Sequence, residues 1–185
     1  MDEKLIKDLP PGPLDIYRNR ASFNWKKMKL LMEGEDAIRF KQKIWSMMEN
    51  DPIFHHNPWD ETTRDEERRL TFVRMKKLIE YNLLTEEEFI SNPMLATVAG
   101  QAVAQYSQAL GGKKFLSYEY FIGNARFSGS QVQNKFMEQV KAFKALGALS
   151  ITELAHGSNT AGLKTRATFD PKTQEFVLST PSLEA

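Results

Sequence analysis

Gly147-Ala-Leu-Ser-Ile-Thr-Glu-Leu-Ala-His-Gly-Ser-Asn-Thr160 is the stretch in which the chain changes period. Before it, apolar residues return every three or four positions. From Leu149 onward they return every second position, with Leu149 and Ile151 alternating with Ser150 and Thr152. A helical face repeats about every 3.6 residues and a pleated strand every 2, so the switch separates a helical part from a strand part. Farther on, Leu163, Thr165, Ala167 and Phe169 alternate with Lys164, Arg166 and Thr168, which predicts a half-buried strand. Asp170-Pro171-Lys172-Thr173 reads as a turn, and Phe176 to Ser179 as the returning arm of a hairpin. The pattern therefore predicts an α+β chain: an all-helical domain over residues 1–146, followed by the first strands of a β-domain over residues 147–185. Three short strands leave unpaired edges, so the β-domain is expected to be incomplete.

Working back toward the start, Ser130 with Gln133 forms a capping pattern for a helix with Val132, Phe136, Val140 and Phe143 in register, expected to stop near Gly147. Phe115 to Phe127 is apolar on more than one face and reads as a helix buried between neighbours, with its aromatic content leaving a strand open. Met94 to Leu110 is predicted as one helix with Leu95, Val98, Ala99, Ala102, Tyr106 and Ala109 on one side. Thr85 and Glu88 make a capping box for a short helix that ends before Pro93. Thr62 or Thr63 caps a helix with a Phe72, Met75 and Ile79 stripe among interleaved charges. Asp51-Pro52 and Asn57-Pro58 interrupt regular structure, because a residue before proline is pushed out of the α region. Phe23 to Met32 and a segment from Glu35 carrying Ala37, Phe40, Ile44, Met47 and Met48 are two further helices, separated at Gly34. Pro10, Pro11 and Pro13 around Gly12 impose an extended segment. Trp25, Trp45 and Trp59 read as packing anchors.

The 25 basic and 24 acidic side chains nearly cancel, so charge gives no reason to expect a nucleic-acid partner. No apolar run is long enough to predict a membrane span, and residues 1–20 lack the apolar core of a secretory signal. The absence of cysteine removes disulfides, thiolate metal sites and thiol nucleophiles. His55-His56 looks like a metal pair, but neighbouring side chains rarely point together and no acid lies at helical ligand spacing, so a loop is expected and no metal site. The charges from Arg64 to Lys77 read as a solvated helix face.

Chemistry concentrates in residues 151–160, where a strand end, a glycine and several hydroxyl and amide side chains occur together. Gly157 permits close approach to a ligand, and such a loop sets hydroxyls and amides against a cofactor edge or phosphate; the plain alternative is a polar turn between strands. Thr152-Glu153-Leu154-Ala155-His156-Gly157-Ser158-Asn159-Thr160 resembles the flavin-contacting loop of acyl-CoA oxidases. The acyl-CoA dehydrogenase form of that loop carries proline after Thr-Glu. Gly12-Pro13-Leu14-Asp15, Tyr17-Arg18, Ala21-Ser22-Phe23, Glu33-Gly34-Glu35, Glu49-Asn50-Asp51-Pro52 and Phe169-Asp170-Pro171 resemble the branched-chain, pristanoyl type of peroxisomal acyl-CoA oxidase. The resemblance runs from Leu9 to the last residue.

The resemblance implies a helical domain beside a β-domain, with FAD between the β-domain and a C-terminal helical bundle. It implies that Thr152 bonds the isoalloxazine near its reactive edge, that Ser158 and the Gly157 backbone lie near the flavin diphosphate and the thioester of acyl-CoA, and that Leu149 and Ile151 line the same strand. The implied reaction converts acyl-CoA and molecular oxygen to trans-2-enoyl-CoA and hydrogen peroxide in peroxisomal β-oxidation. No catalytic residue is assigned: the family's base is a glutamate beyond residue 185, and Glu153 reads as a structural acid. A flavin contacted from one side should bind weakly, so the chain alone is expected to be inactive. Full-length relatives are expected to be homodimers. Leu183-Glu184-Ala185 does not resemble a peroxisomal address, so location rests on the resemblance. The rival readings are an acyl-CoA dehydrogenase and a non-catalytic helical interaction module. His156 is expected to fix the loop as a hydrogen-bond donor.

Overall fold

Asn24 accepts hydrogen bonds at its side-chain oxygen from the amides of Lys26 and Lys27, and these start helix α2 (Trp25–Glu33), which follows the short helix α1 (Asp15–Arg18). The computed structural model describes residues 2–57, 59–128 and 130–185; Pro58, expected to break the chain, lies outside them. Gly34 ends α2 and begins α3 (Glu35–Glu49) at φ +81° and ψ 156°, a conformation that a side chain strains. Across this corner the Glu33 carboxylate accepts from Lys29 at 2.6 Å and from Lys41 at 2.9 Å. Burial raises the Glu33 pKa, but the bonds from Lys29 and Lys41 outweigh it and hold the carboxyl below its usual value. Lys41 is only 4% exposed, which the charge pattern did not suggest.

The chain divides into two compact units, residues 1–120 and 121–185. In the first, α3 packs against α6 (Met94–Tyr106), and α4 (Arg64–Glu80) against α7 (Gln108–Lys114). Ile44, Met75, Leu78, Val103 and Leu110 are its largest fully buried side chains. Ala99 and Ala102 keep the α6 surface low, and the Trp45 indole donates to the Ala102 carbonyl at 3.0 Å. At Gly111 a Cβ would stand 3.2 Å from Ala104, so glycine permits the close approach of α7 to α6. Ile6, Leu30 and Ile38 form a smaller cluster with Leu5 and Trp25 against it.

The capping boxes at Thr63–Glu66 and Thr85–Glu88 start α4 and α5 (Glu86–Ser91) as their sequences predict. The buried stripe of α4 differs from the expected one. It consists of Thr71, Arg74, Met75 and Leu78, while Phe72 is exposed. Arg74, 7% exposed, turns inward because its Nε donates to the Ile53 carbonyl at 2.7 Å and its guanidinium lies 5.7 Å from the Tyr106 ring. Tyr106 in turn donates to the Phe54 carbonyl at 2.6 Å, so side chains hold the 3₁₀ turn Pro52–Phe54 in place. Trp59 is no anchor, being 87% exposed.

Met94–Leu110 is two helices. Ser107 leaves the α region at φ −152°, ψ 117° and caps α7 by accepting from the Leu110 amide, which rotates the following helix and leaves Ala109 exposed. Residues 115–127 are helical but not enclosed. Phe115–Glu119 forms a π turn, and Phe115, Leu116 and Phe127 remain exposed.

The second unit contains α8 (Tyr120–Ser128) from residue 121 onward, and α9 (Gln131–Lys141), whose Ser130–Gln133 capping box is present. Val140 is buried whereas Val132 and Phe136 are exposed, and α9 stops before Gly147 because Phe143 takes φ +55°. The described residues contain one sheet, an antiparallel pair of β1 (Arg166–Asp170) and β2 (Glu175–Ser179), with Ala167 opposite Leu178 and Phe169 opposite Phe176. Asp170 shapes the turn by accepting from the Lys172 and Gln174 amides. The hairpin is exposed rather than half-buried, and residues 149–152 form no strand, pairing with no backbone among the described residues. Helices followed by strands is the predicted α+β order. No helix among the described residues is long and apolar enough to cross a membrane.

Arg74→Met keeps much of the side-chain volume but leaves the Ile53 carbonyl without its donor. Urea denaturation should show a loss of about 1–3 kcal/mol in stability.

Candidate functional site

Residues 149–165 of the second unit run from irregular backbone through two tight turns into β1. Leu149, Ile151 and Thr152 are exposed. At Glu153 the chain turns back: the His156 amide donates to the Glu153 carbonyl at 3.2 Å, and the two residues form an isolated antiparallel bridge with Leu154 and Ala155 at the corner. The Ala155 amide donates to the Glu184 carbonyl at 3.0 Å. Gly157, Ser158 and Asn159 follow on the surface. The 3₁₀ turn Thr160–Gly162 then closes through a 2.9 Å bond from the Gly162 amide to the Asn159 carbonyl. A Cβ at Gly162 would fall 2.8 Å from the amide end of the Asn159 side chain, which would have to turn aside to admit one.

One carboxylate fastens the two ends of this loop. Glu153, whose side chain is 6% exposed, accepts from the Lys164 amide at Oε2 and from the Thr165 amide at Oε1, each at 2.8 Å. The bond from the Lys164 amide, followed by those from Thr165, favours the ionised form and pulls the Glu153 pKa down to about 2. Lys164 also pairs through its ammonium with the Glu184 carboxylate, which that contact holds below its ordinary pKa.

The loop is fixed by Glu153 and not by a hydrogen bond from His156. The His156 Nε2 lies 3.2 Å from Glu153 Oε2, but off the direction of a hydrogen bond. Neither ring nitrogen has a hydrogen-bond partner among the described residues, although both are shut off from solvent.

Of the residues singled out in the sequence, Thr152, Gly157 and Ser158 belong to this fastened segment, with Leu149 and Ile151 just before it. The Thr152 and Ser158 hydroxyls make no hydrogen bond among the described residues, and nothing lies within 4 Å of a Cβ built at Gly157. Exposed hydroxyls at Thr152 and Ser158, with the open glycine backbone next to Ser158, are chemistry that fits a flavin edge or a phosphate. The fastening by Glu153 was not visible in the sequence, since it depends on two amides eleven and twelve residues away. His55 has a plain structural partner, its Nε2 lying 2.9 Å from the Glu49 carbonyl, and His56 packs edge-on against Tyr106. Both line a cleft of about 470 Å³ in the first unit with Trp45 and Phe54.

Comparison with known proteins gives a consistent set of relatives, although no family model matches. The chain is 37% identical over 185 residues to the human peroxisomal acyl-coenzyme A oxidase 3, a match that takes in 100% of this chain and 26% of the relative. It is 31% identical over 172 residues to the acyl-coenzyme A oxidase acox-3 of Caenorhabditis elegans, covering 93% of this chain and 25% of that one. Among solved structures, acyl-CoA oxidase 1 of Yarrowia lipolytica superposes with a TM-score of 0.71 at 25% identity, over 92% of this chain and 25% of that chain. Acyl-CoA oxidase 1 of Arabidopsis thaliana gives 0.63 at 28% identity, over 92% and 25%. The chain thus spans about a quarter of the length of the relatives it matches.

Because the folded pKa of Glu153 is depressed, its contribution to stability is present above the ordinary glutamate pKa and is lost as pH falls through about 2. In an NMR titration the Lys164 and Thr165 amide shifts should hold steady from neutral pH to about pH 4 and move with a midpoint near the folded value.

Proposed function

Because this chain belongs to the acyl-CoA oxidase family and matches the N-terminal portion of its members, we propose that it supplies the flavin-contacting loop of an FAD-dependent acyl-CoA oxidase. The reaction is acyl-CoA plus molecular oxygen to trans-2-enoyl-CoA plus hydrogen peroxide, in peroxisomal fatty-acid β-oxidation. The observation that carries this reading is the fastened loop bearing two exposed hydroxyls that have no partner among the described residues, in a segment that follows the oxidase form of the motif.

In this reading the Thr152 hydroxyl orients the isoalloxazine near its reactive edge. Ser158 and the Gly157 backbone meet the flavin diphosphate and the thioester end of acyl-CoA. Leu149 and Ile151 present apolar surface beside them. Bound FAD would accept the hydride that leaves the β-carbon, after which oxygen takes two electrons and two protons to leave as hydrogen peroxide. The carboxylate that removes the α-proton is not assigned to any residue of this sequence. Glu153 does not fill that role, since both of its oxygens hold backbone amides. Residues 1–146 are the helical domain and residues 147–185 begin the β-domain of the assembled oxidase, which is a homodimer.

The test is to purify the chain, add excess FAD, remove the unbound fraction and record the flavin absorbance that stays with the protein. Retained flavin supports the reading and opens an oxygen-consumption assay with acyl-CoA; no retained flavin counts against a flavin site built by this chain alone. Thr152→Val and Ser158→Ala should each weaken flavin binding roughly 2- to 10-fold, the worth of one hydrogen bond.

A further inference from the structure

Lys164 and Thr165 are consecutive residues at the start of the run into β1, yet their amides converge on one carboxylate. In an extended strand successive amides point to opposite edges, so both can meet Glu153 only if the backbone bends there. Regular pairing accordingly begins only at Arg166, opposite Ser179. The bend sets where residues 154–163 return, and the residue before Glu153 is Thr152. A single side chain thus fixes the loop at its departure and at its return.

We propose that Glu153 is a positioning residue that holds residues 152–163 in the shape in which Thr152, Gly157 and Ser158 meet the flavin. This rests on the flavin reading above for its ligand, but the fastening itself does not. The requirement is for an ionised carboxylate of this length. Both oxygens must accept, and an amide in its place turns an N–H toward one of two backbone donors. A side chain one methylene shorter does not span to both amides. Neighbouring groups do not replace it: His156 has no hydrogen bond to offer among the described residues, and Lys164 reaches Glu184 with its side chain while its amide goes to Glu153.

The experiment compares wild type, Glu153→Gln and Glu153→Asp by amide hydrogen exchange resolved to single residues, and by flavin titration with visible circular dichroism of the bound flavin. In Glu153→Gln, exchange at Lys164, Thr165 and the loop should rise about 10- to 100-fold, the worth of losing charge-assisted hydrogen bonds, while the hairpin 166–179 keeps its protection. Flavin affinity should fall in parallel and the dichroism of the bound flavin should change shape. Glu153→Asp should lie between, and it decides the matter if the glutamine variant does not fold. Unchanged exchange at Lys164 and Thr165 overturns the fastening. Faster exchange with unchanged flavin affinity and dichroism overturns positioning, as would a loss of protection spread evenly over the hairpin. If wild type binds no flavin while loop exchange still rises in the variant, the flavin reading and the positioning built on it fall, and only the fastening stands.

Discussion

Arg74 donates to the Ile53 carbonyl from the middle of α4, and Glu153 accepts from the amides of Lys164 and Thr165. In each case irregular backbone has no helix or strand partner, and a charged side chain more than nine-tenths hidden from solvent supplies one. Backbone polar groups left unpaired away from water cost about as much as a lost hydrogen bond, so such segments are stable only where a partner reaches them. The two side chains suit their tasks. A guanidinium offers donors in a fixed fork to the carbonyls of Ile53 and His55, and a carboxylate offers two acceptors to successive amides. Each therefore decides the shape of chain far from it in sequence.

What could be read from sequence was whatever local rules enforce. The capping boxes at Thr63, Thr85 and Ser130, the corner at Gly34 and the hairpin turn at Asp170-Pro171 all involve residues within a few positions of one another. Periodicity did less well where a distant partner competes. An arginine is ordinarily assigned to solvent, so the sequence pattern points to a Phe72, Met75 and Ile79 stripe; the bond from Arg74 to the Ile53 carbonyl turns Arg74 inward instead. Alternation at Leu149 and Ile151 predicted a strand, but a strand exists only when another backbone lies beside it. Ser107 likewise carries no periodic signal against a helix, yet its hydroxyl does more as a cap for α7 than within a continuous α6.

The candidate site could be picked out by its composition, whereas its construction could not. Thr152, Gly157 and Ser158 stand out as small polar and flexible residues beside a period change, and the flavin contacts proposed for them rest on the resemblance of their loop to the oxidase motif. Glu153 has the same letter whether it is a base, an ion-pair partner or a backbone cap. Its function becomes visible only when the return of the chain at Lys164 is known. His156 shows the converse: its residue type suggests a donor, while its buried ring nitrogens find no hydrogen-bond partner among the described residues.

The π turn at Phe115–Glu119 has a meaning for how this chain lines up with others. There the Tyr120 amide bonds the Phe115 carbonyl, five positions back, so the turn accommodates one residue more than an α-helical turn between the same neighbours. A helix can thus absorb a single-residue insertion without a loop to mark it. An alignment drawn on hydrophobic phase alone would slip by one position there, and a relative with a regular turn in its place would need a gap inside a helix, a location where gaps are ordinarily disallowed.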